Sequence, residues 1–387
     1  MQYTAPHYYK KFKCIADKCP DTCCAGWQII IDNKTMKKYK SIKGDVGKRL
    51  KKEIIKKEQR FNQYEKRCAF LNNDNLCDLV LAGGDEYLCR TCRMFPREIE
   101  EYDGLREISL SLACPVVADM LMDMDEKVTF IHREGKDLGE HDDDFDFIFF
   151  TKLEDTRDLM LKIIQNRDYP VSVRMAVVLS LGHDVEERTK RNRMFEVDEL
   201  LERYSDKEVF KYFAKKLEEV KKAGNQDSVL KDIFDIIDSI EVLKKSWRPY
   251  ISDIESTLFE EKEYADTKAL GKWLELMEVP MEQLMVYYIY KFFCPAVYDG
   301  LVYIRTKFAV ISSILIKEMT KAVLLKHKIL YDKENIRMFK ESCRDILSDA
   351  ARRYSKEVEH SDDNLEFIRS VLKDEERFGM QEILSIL

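Results

Sequence analysis

Nine cysteines crowd into the first 114 residues, spaced Cys14-x4-Cys19-x3-Cys23-Cys24, then Cys68-x8-Cys77-x11-Cys89-x2-Cys92, then Cys114. So many thiols in so short a stretch must be closed into disulfides, bound to metal or buried. Nine is odd, which a closed disulfide framework is not. Met1–Lys13 also lacks the apolar run of a secretory leader. The expected address is therefore the cytoplasm, where thiols stay reduced and clustered cysteines point to metal. Cys89 and Cys92 are spaced to grip one ion from a tight turn, whereas the neighbours Cys23 and Cys24 are expected to point apart. The histidines are His7, His132, His141, His183, His327 and His360, and none falls between Cys14 and Cys114. Mixed Cys/His zinc sites thereby lose weight against all-thiolate sites, either zinc or iron–sulfur. In Ala113-Cys114-Pro115, proline suits the first helical position and puts Cys114 at the cap, where a helix N-terminus favours the thiolate. Cys294 and Cys343 stand alone in helical sequence and read as core residues.

The rest of the chain is helical in character. Among 387 residues there are only 13 Gly and 8 Pro, and helical spacing recurs from Phe147 to the end. The expected architecture is mainly α: a Cys-rich metal-binding domain over residues 1–125, an acidic linker over 126–146, and an all-helical domain over 147–387. Pro170, Gly182 and Pro280 punctuate the helices. Lys34–Arg60 reads as one amphipathic helix with Ile42, Val46, Leu50 and Ile54 on its apolar face. The net charge of −7 makes a general nucleic-acid binder a poor expectation, although residues 1–60 carry 16 basic against 6 acidic side chains. The most apolar region, Val286–Ile316, is broken by Lys291, Asp299, Arg305 and Lys307, so no membrane insertion is expected. No glycine-rich dinucleotide turn, phosphate loop, HExxH or GxSxG motif occurs.

Four blocks in order resemble the flagellin lysine-N-methylase (FliB-like) family. The first is Phe12 to Asp32 with Cys14, Cys19, Asp21, Cys23, Cys24, Gly26 and Trp27; the second is Arg67-Cys68 with Phe70, Leu71, Leu76 and Cys77. The third is Tyr87-Leu88-Cys89 with Cys92, Arg93, Phe95, Pro96 and Arg97, and the fourth is Ser109, Ser111 and Cys114-Pro115. Together they span residues 8–122. Met281 to Pro295 and Tyr298-Asp299-Gly300 extend the likeness more weakly into the C-terminal part. The cysteine pattern is shared more loosely with zinc- or iron-chelating domains at large.

That resemblance implies transfer of methyl groups to surface lysines of flagellin, with S-adenosylmethionine as donor and a [4Fe–4S] cluster. About four of Cys14, Cys19, Cys23, Cys24, Cys68, Cys77, Cys89, Cys92 and Cys114 would ligate the cluster. The CxxxCxxC motif of radical enzymes is not met, because Gly26 stands where its third cysteine would be; radical and polar transfer both stay open. Polar transfer requires a deprotonated lysine and a lining that tolerates a sulfonium. Trp27, three residues after Cys24, and Tyr87, beside Cys89, are the candidate catalytic aromatics. Arg93 and Arg97 are candidates to bind the carboxylate of the donor. The other reading is a non-catalytic zinc- or iron-chelating protein whose cysteines clip a structural or interaction domain.

Overall fold

The computed structural model describes residues 1–136, 139, 142–222, 224–260, 267–329 and 335–387. The protein is mainly helical, as its scarcity of Gly and Pro leads one to expect. Its N-terminal third nevertheless holds a mixed four-stranded sheet that helical periodicity gives no hint of. Strand Gln2–Pro6 lies parallel to Leu105–Leu110 and antiparallel to Phe130–Glu134, and Arg97–Tyr102 completes the sheet alongside Leu105–Leu110. The last two strands form a hairpin about Asp103-Gly104, where Gly104 takes a φ of +81° that a side chain resists. The sheet is welded to the helices behind it. Arg157, on helix Phe147–Ile164, forks onto Glu107 through two buried 2.6 Å hydrogen bonds, and the Tyr290 hydroxyl donates to the Thr4 carbonyl at 3.0 Å. Residues 126–146 include strand Phe130–Glu134, paired along its length with the first strand. Within the acidic run that follows, residues 137, 138, 140 and 141, including His141, lie outside the described residues.

Helix Val302–Lys326 is the axis of the helical region. It is buried on nearly every side and packs against Val171–Lys190, Thr267–Phe292, Ile336–Val358 and Trp247–Phe259. Two expected interruptions are not there. Gly182 sits inside Val171–Lys190, and a Cβ on it would fall 2.2 Å from Thr306 Oγ1; glycine is needed for close helix approach, not for a stop. Pro280 lies within Thr267–Phe292, where burial of Trp273, Met281 and Leu284 on either side outweighs the lost backbone hydrogen bond. Lys34–Arg60 departs the other way. It forms two helices, Asn33–Ser41 and Gly44–Glu53, parted by extended Ile42 and by Gly44 at φ +73°, and Ile54 then enters a strand paired with Arg60–Phe61. Leu50 keeps its expected place in the core, 1% exposed.

The apolar interior falls into two clusters. The large one joins the helices to Tyr8, Phe12, Tyr102, Leu110, Leu112 and Cys114. The small one gathers Ile29, Ile31, Tyr39, Leu50, Phe61, Cys68, Phe70, Leu79 and Cys89, with Cys24, Cys77, Cys92 and Trp27 packed on it. Cys294 and Cys343 are buried among the helices. Among the described residues no helix is long and apolar enough to cross a membrane.

Candidate functional site

Cys24, Cys68, Cys77, Cys89 and Cys92 meet in the small core, with Cys23 at its edge, and short helices position three of them. Cys77 caps Asp78–Gly83 and Cys89 caps Arg90–Met94. The latter helix is clamped to the preceding chain, because the Arg90 amide donates to Asp32 at 2.9 Å and the Thr91 hydroxyl to the Ile30 carbonyl at 2.7 Å. One helical turn brings the Cys92 sulfur to 3.5 Å from that of Cys89. Contrary to expectation, Cys23 and Cys24 do not point apart; their sulfurs are 4.0 Å from each other, and Cys77 is a second thiol neighbour of Cys24. The backbone turns here through Gly26, at φ +95°, whose amide donates to Lys66.

Hydrogen bonding among neighbouring thiols holds three sulfurs, those of Cys23, Cys77 and Cys89, toward the thiolate. Hydrogen bonding from Cys24 lowers Cys77 to about 6, helped by the backbone amides of the helix it caps. Cys23 is lowered by its hydrogen bond with Cys24 and by the charge of Lys356, and Cys89 by its hydrogen bond with Cys92. Their partners Cys24 and Cys92 are pushed up. Cys68 goes up to about 12 by burial. Cys114 does cap helix Pro115–Met122 with Pro115 at its start. Its thiol nonetheless rises to about 11, because desolvation outweighs the helix N-terminus. Cys14 and Cys19 lie toward the surface.

Sulfur-only donors of this kind suit zinc or iron. Cys24 neighbours Cys23 and Cys77 while Cys89 pairs with Cys92, and among the described residues no group of three or more His, Cys, Asp or Glu is placed to hold a metal ion.

Beside these thiols the small core meets helix Ile336–Val358 and the residues after it. The Trp27 indole N–H donates to the Cys23 carbonyl at 2.9 Å, and its ring lies 6.0 Å from Phe95 and 5.7 Å from His360. Burial lowers His360 to about 4, so the imidazole is neutral at pH 7. One ring nitrogen is 3.3 Å from Ser111 Oγ, while Nδ1 is buried with no hydrogen-bond partner. Next to it Glu359, fully buried, accepts from Lys291 and from Tyr287, each at 2.6 Å.

A cavity of about 350 Å³ opens at the same junction, lined by Pro20, Asp21, Lys244, Ser246, Trp247, Arg352, Arg353, Lys356 and Glu357. Asp21 is its organising carboxylate. It pairs with Lys244 at 2.8 Å, with Lys356 at 3.0 Å and with Arg352, and these cations hold its carboxyl well below the usual range. Lys356 also donates to the Thr22 carbonyl at 2.6 Å, and burial brings its ammonium down to about 8.

Of the residues singled out in sequence, Trp27 stands at this junction. The Tyr87 ring packs on Gly83 and its carbonyl accepts from Tyr39 at 2.6 Å. Arg93 is exposed on its short helix, and the Arg97 guanidinium lies over the rings of Tyr9 and Phe12. The sequence reading missed His360, Lys244, Arg352, Arg353 and Lys356. The last four lie in ordinary Lys/Arg-rich stretches, and no local spacing ties any of the five to the clustered cysteines far back in the chain.

Residues 157–386 match the family profile described as the FliB lysine N-methylase C-terminal domain. The chain is similar to the lysine-N-methylase of Salmonella typhimurium, 32% identical over 128 residues that make up 31% of this chain and 32% of that protein. It is also similar to the flagellar biosynthetic protein FliU of Salmonella muenchen, 32% identical over 128 residues and 76% of that protein. The matched stretch thus spans about a third of the lysine-N-methylase's length and about three quarters of FliU's. No solved structure matches the chain significantly. A profile covering more than half of the chain, together with FliU, places the protein by descent: it belongs to the FliB lysine N-methylase family.

Proposed function

We propose that the protein is a lysine N-methyltransferase that uses S-adenosylmethionine and modifies surface lysines of flagellin. The observation that carries this reading is its membership of the FliB lysine N-methylase family across residues 157–386; the name of FliU supports a flagellar setting. The cysteines support a thiolate-bound metal, in our reading a [4Fe–4S] cluster. Its ligands would come from Cys23, Cys24, Cys77, Cys89 and Cys92, the thiols gathered in pairs and held partly as thiolate. Such a cluster would supply an electron carrier beside the reacting groups.

This chain's own residues have definite tasks in the reaction. A lysine ammonium must lose a proton before its nitrogen can attack a methyl carbon, and a water-poor aromatic lining favours that loss. Trp27 and Phe95 provide such a lining, and neutral His360 adds a buried nitrogen. Held near 4, that imidazole is too weak a base to take the proton from an ammonium by itself, so its task is to orient the lysine. The packing of Cys24, Cys68, Cys77, Cys89 and Cys92 into the small core favours a second reading, in which the cysteines clip that core with zinc and take no part in catalysis. The two are separated by assaying iron, sulfide and zinc in anaerobically purified protein and following methyl transfer from labelled S-adenosylmethionine to flagellin. Iron and sulfide with labelled lysine support methyl transfer; zinc without labelled lysine supports the clip.

A further inference from the structure

We infer that the cavity around Asp21 binds the α-amino-carboxylate end of a small zwitterionic ligand. Resting on the methyl-transfer reading, we assign that ligand as the methyl donor, held by its methionine end. The charge in the cavity wall asks for such a group. Lys244, Arg352, Arg353 and Lys356 face Asp21 and Glu357, and with Asp349 paired to both arginines one positive charge is left in excess. The oxygens of Glu357 are engaged by the backbone amides of Leu243 and Lys244 at 2.7 and 2.8 Å, so it forms no close ion pair with these cations. Three of the cations converge on Asp21. Arg353 is placed differently. It reaches Asp349 through Nε at 2.5 Å and lies over the Tyr250 ring, with its side chain 35% exposed. A concave, half-buried wall with net positive charge concentrates a small anion, and a guanidinium fork suits a carboxylate better than it suits a halide.

For the other half of a zwitterion the wall offers Asp21, which the ligand ammonium would share with Lys244, Arg352 and Lys356, the cations it now accepts. A volume of about 350 Å³ lies in the range of small-molecule sites, ~300–1,000 Å³. Position points the same way. Asp21 and Thr22 lead directly into Cys23, and Lys356 bridges Asp21 and the Thr22 carbonyl, so a ligand anchored here has its far end beside the thiols and Trp27. The candidates of the sequence reading, Arg93 and Arg97, lie outside this cavity wall.

The test is calorimetric titration of the full, anaerobically purified chain with S-adenosylhomocysteine and with 5′-methylthioadenosine, which keeps the nucleoside but lacks the amino-acid end. For Arg353→Gln and Lys244→Gln we expect S-adenosylhomocysteine affinity to fall about tenfold or more, as for loss of one charge-assisted contact. Affinity for 5′-methylthioadenosine should change less than about twofold in the same variants, which also shows that they are folded. Arg353→Lys should recover much of the loss. Wild-type affinity for S-adenosylhomocysteine in both Gln variants overturns the assignment and leaves the methylase reading standing. If the unmodified chain binds neither compound, the methyl-donor reading falls and the assignment falls with it.

Discussion

Asp21→Asn removes the one carboxylate on which Lys244, Arg352 and Lys356 converge, and with it a tie between the Cys-rich segment and the C-terminal helices. The side chains of Lys356, Asp21 and Arg352 are 4%, 10% and 13% exposed, and that of Lys244 is 31% exposed. Two of the three pairs are therefore nearly shielded from water and the third is half-screened. Breaking a buried pair costs about 3–5 kcal/mol, because the stranded charges keep their desolvation penalty; an exposed pair is worth about 0–1 kcal/mol. Arg352 retains Asp349 as a partner, which places the expected loss near the lower end, about 3 kcal/mol. Urea unfolding followed by far-UV circular dichroism reads it as a lower midpoint at unchanged slope. The sign with pH follows from the lowered carboxyl. Its stabilisation is complete above the ordinary aspartate range and is lost as pH falls below it, so the variant should lose less stability on acidification than the parent. The control is Asp45→Asn, at an exposed pair with Lys48, which should leave the midpoint where it was. A loss below about 1 kcal/mol for Asp21→Asn means that the buried pairs tie the two segments no more strongly than a surface pair would.

Three further outcomes are expected. His360→Gln should flatten the dependence of stability on pH between about 6.5 and 4. A histidine whose folded value is lowered binds its proton more readily unfolded, so the parent loses up to roughly 3 kcal/mol as pH falls through that window; an unchanged slope in urea midpoints against pH contradicts this. Gly182→Ala forces a methyl against Thr306, which is 1% exposed and stiff at its branched carbon; thermal unfolding should show a loss of about 1–3 kcal/mol, and a neutral result means that the two helices part freely. Cys92→Ser should abolish bound metal, read by elemental analysis of anaerobically purified protein, whereas Cys294→Ser, in the helical core, should leave it in place.

What the sequence disclosed depended on how local the signal was. Helix periodicity after Phe147 and the cap at Cys114-Pro115 are short-range patterns, and the helices and that cap are present. The Asp103-Gly104 pair is equally local and signals the hairpin between Arg97–Tyr102 and Leu105–Leu110, yet it is easily lost beside the cysteines. Gly182 and Pro280 misled because their stop signals are weaker than the packing of a buried helix face. Ile42-Lys43-Gly44 misled in the opposite sense: a four-residue apolar spacing survives across a break in the helix. For the candidate site, the cysteine spacing located the thiols but not their pairing, which depends on how Cys24 and Cys77 are brought together by the fold. His360 and the cations around Asp21 are invisible locally, because what distinguishes them is a neighbour far away in the chain.

Of all these measurements the most direct concerns the reaction itself. Anaerobically purified chain, with its iron, sulfide and zinc determined, is incubated with methyl-labelled S-adenosylmethionine and flagellin, and the flagellin peptides are read by mass spectrometry. Methyl label is expected on lysine side chains, and is expected to disappear with Cys92→Ser. Unlabelled flagellin after incubation with folded, metal-loaded protein that binds the donor would rule out methyl transfer to flagellin.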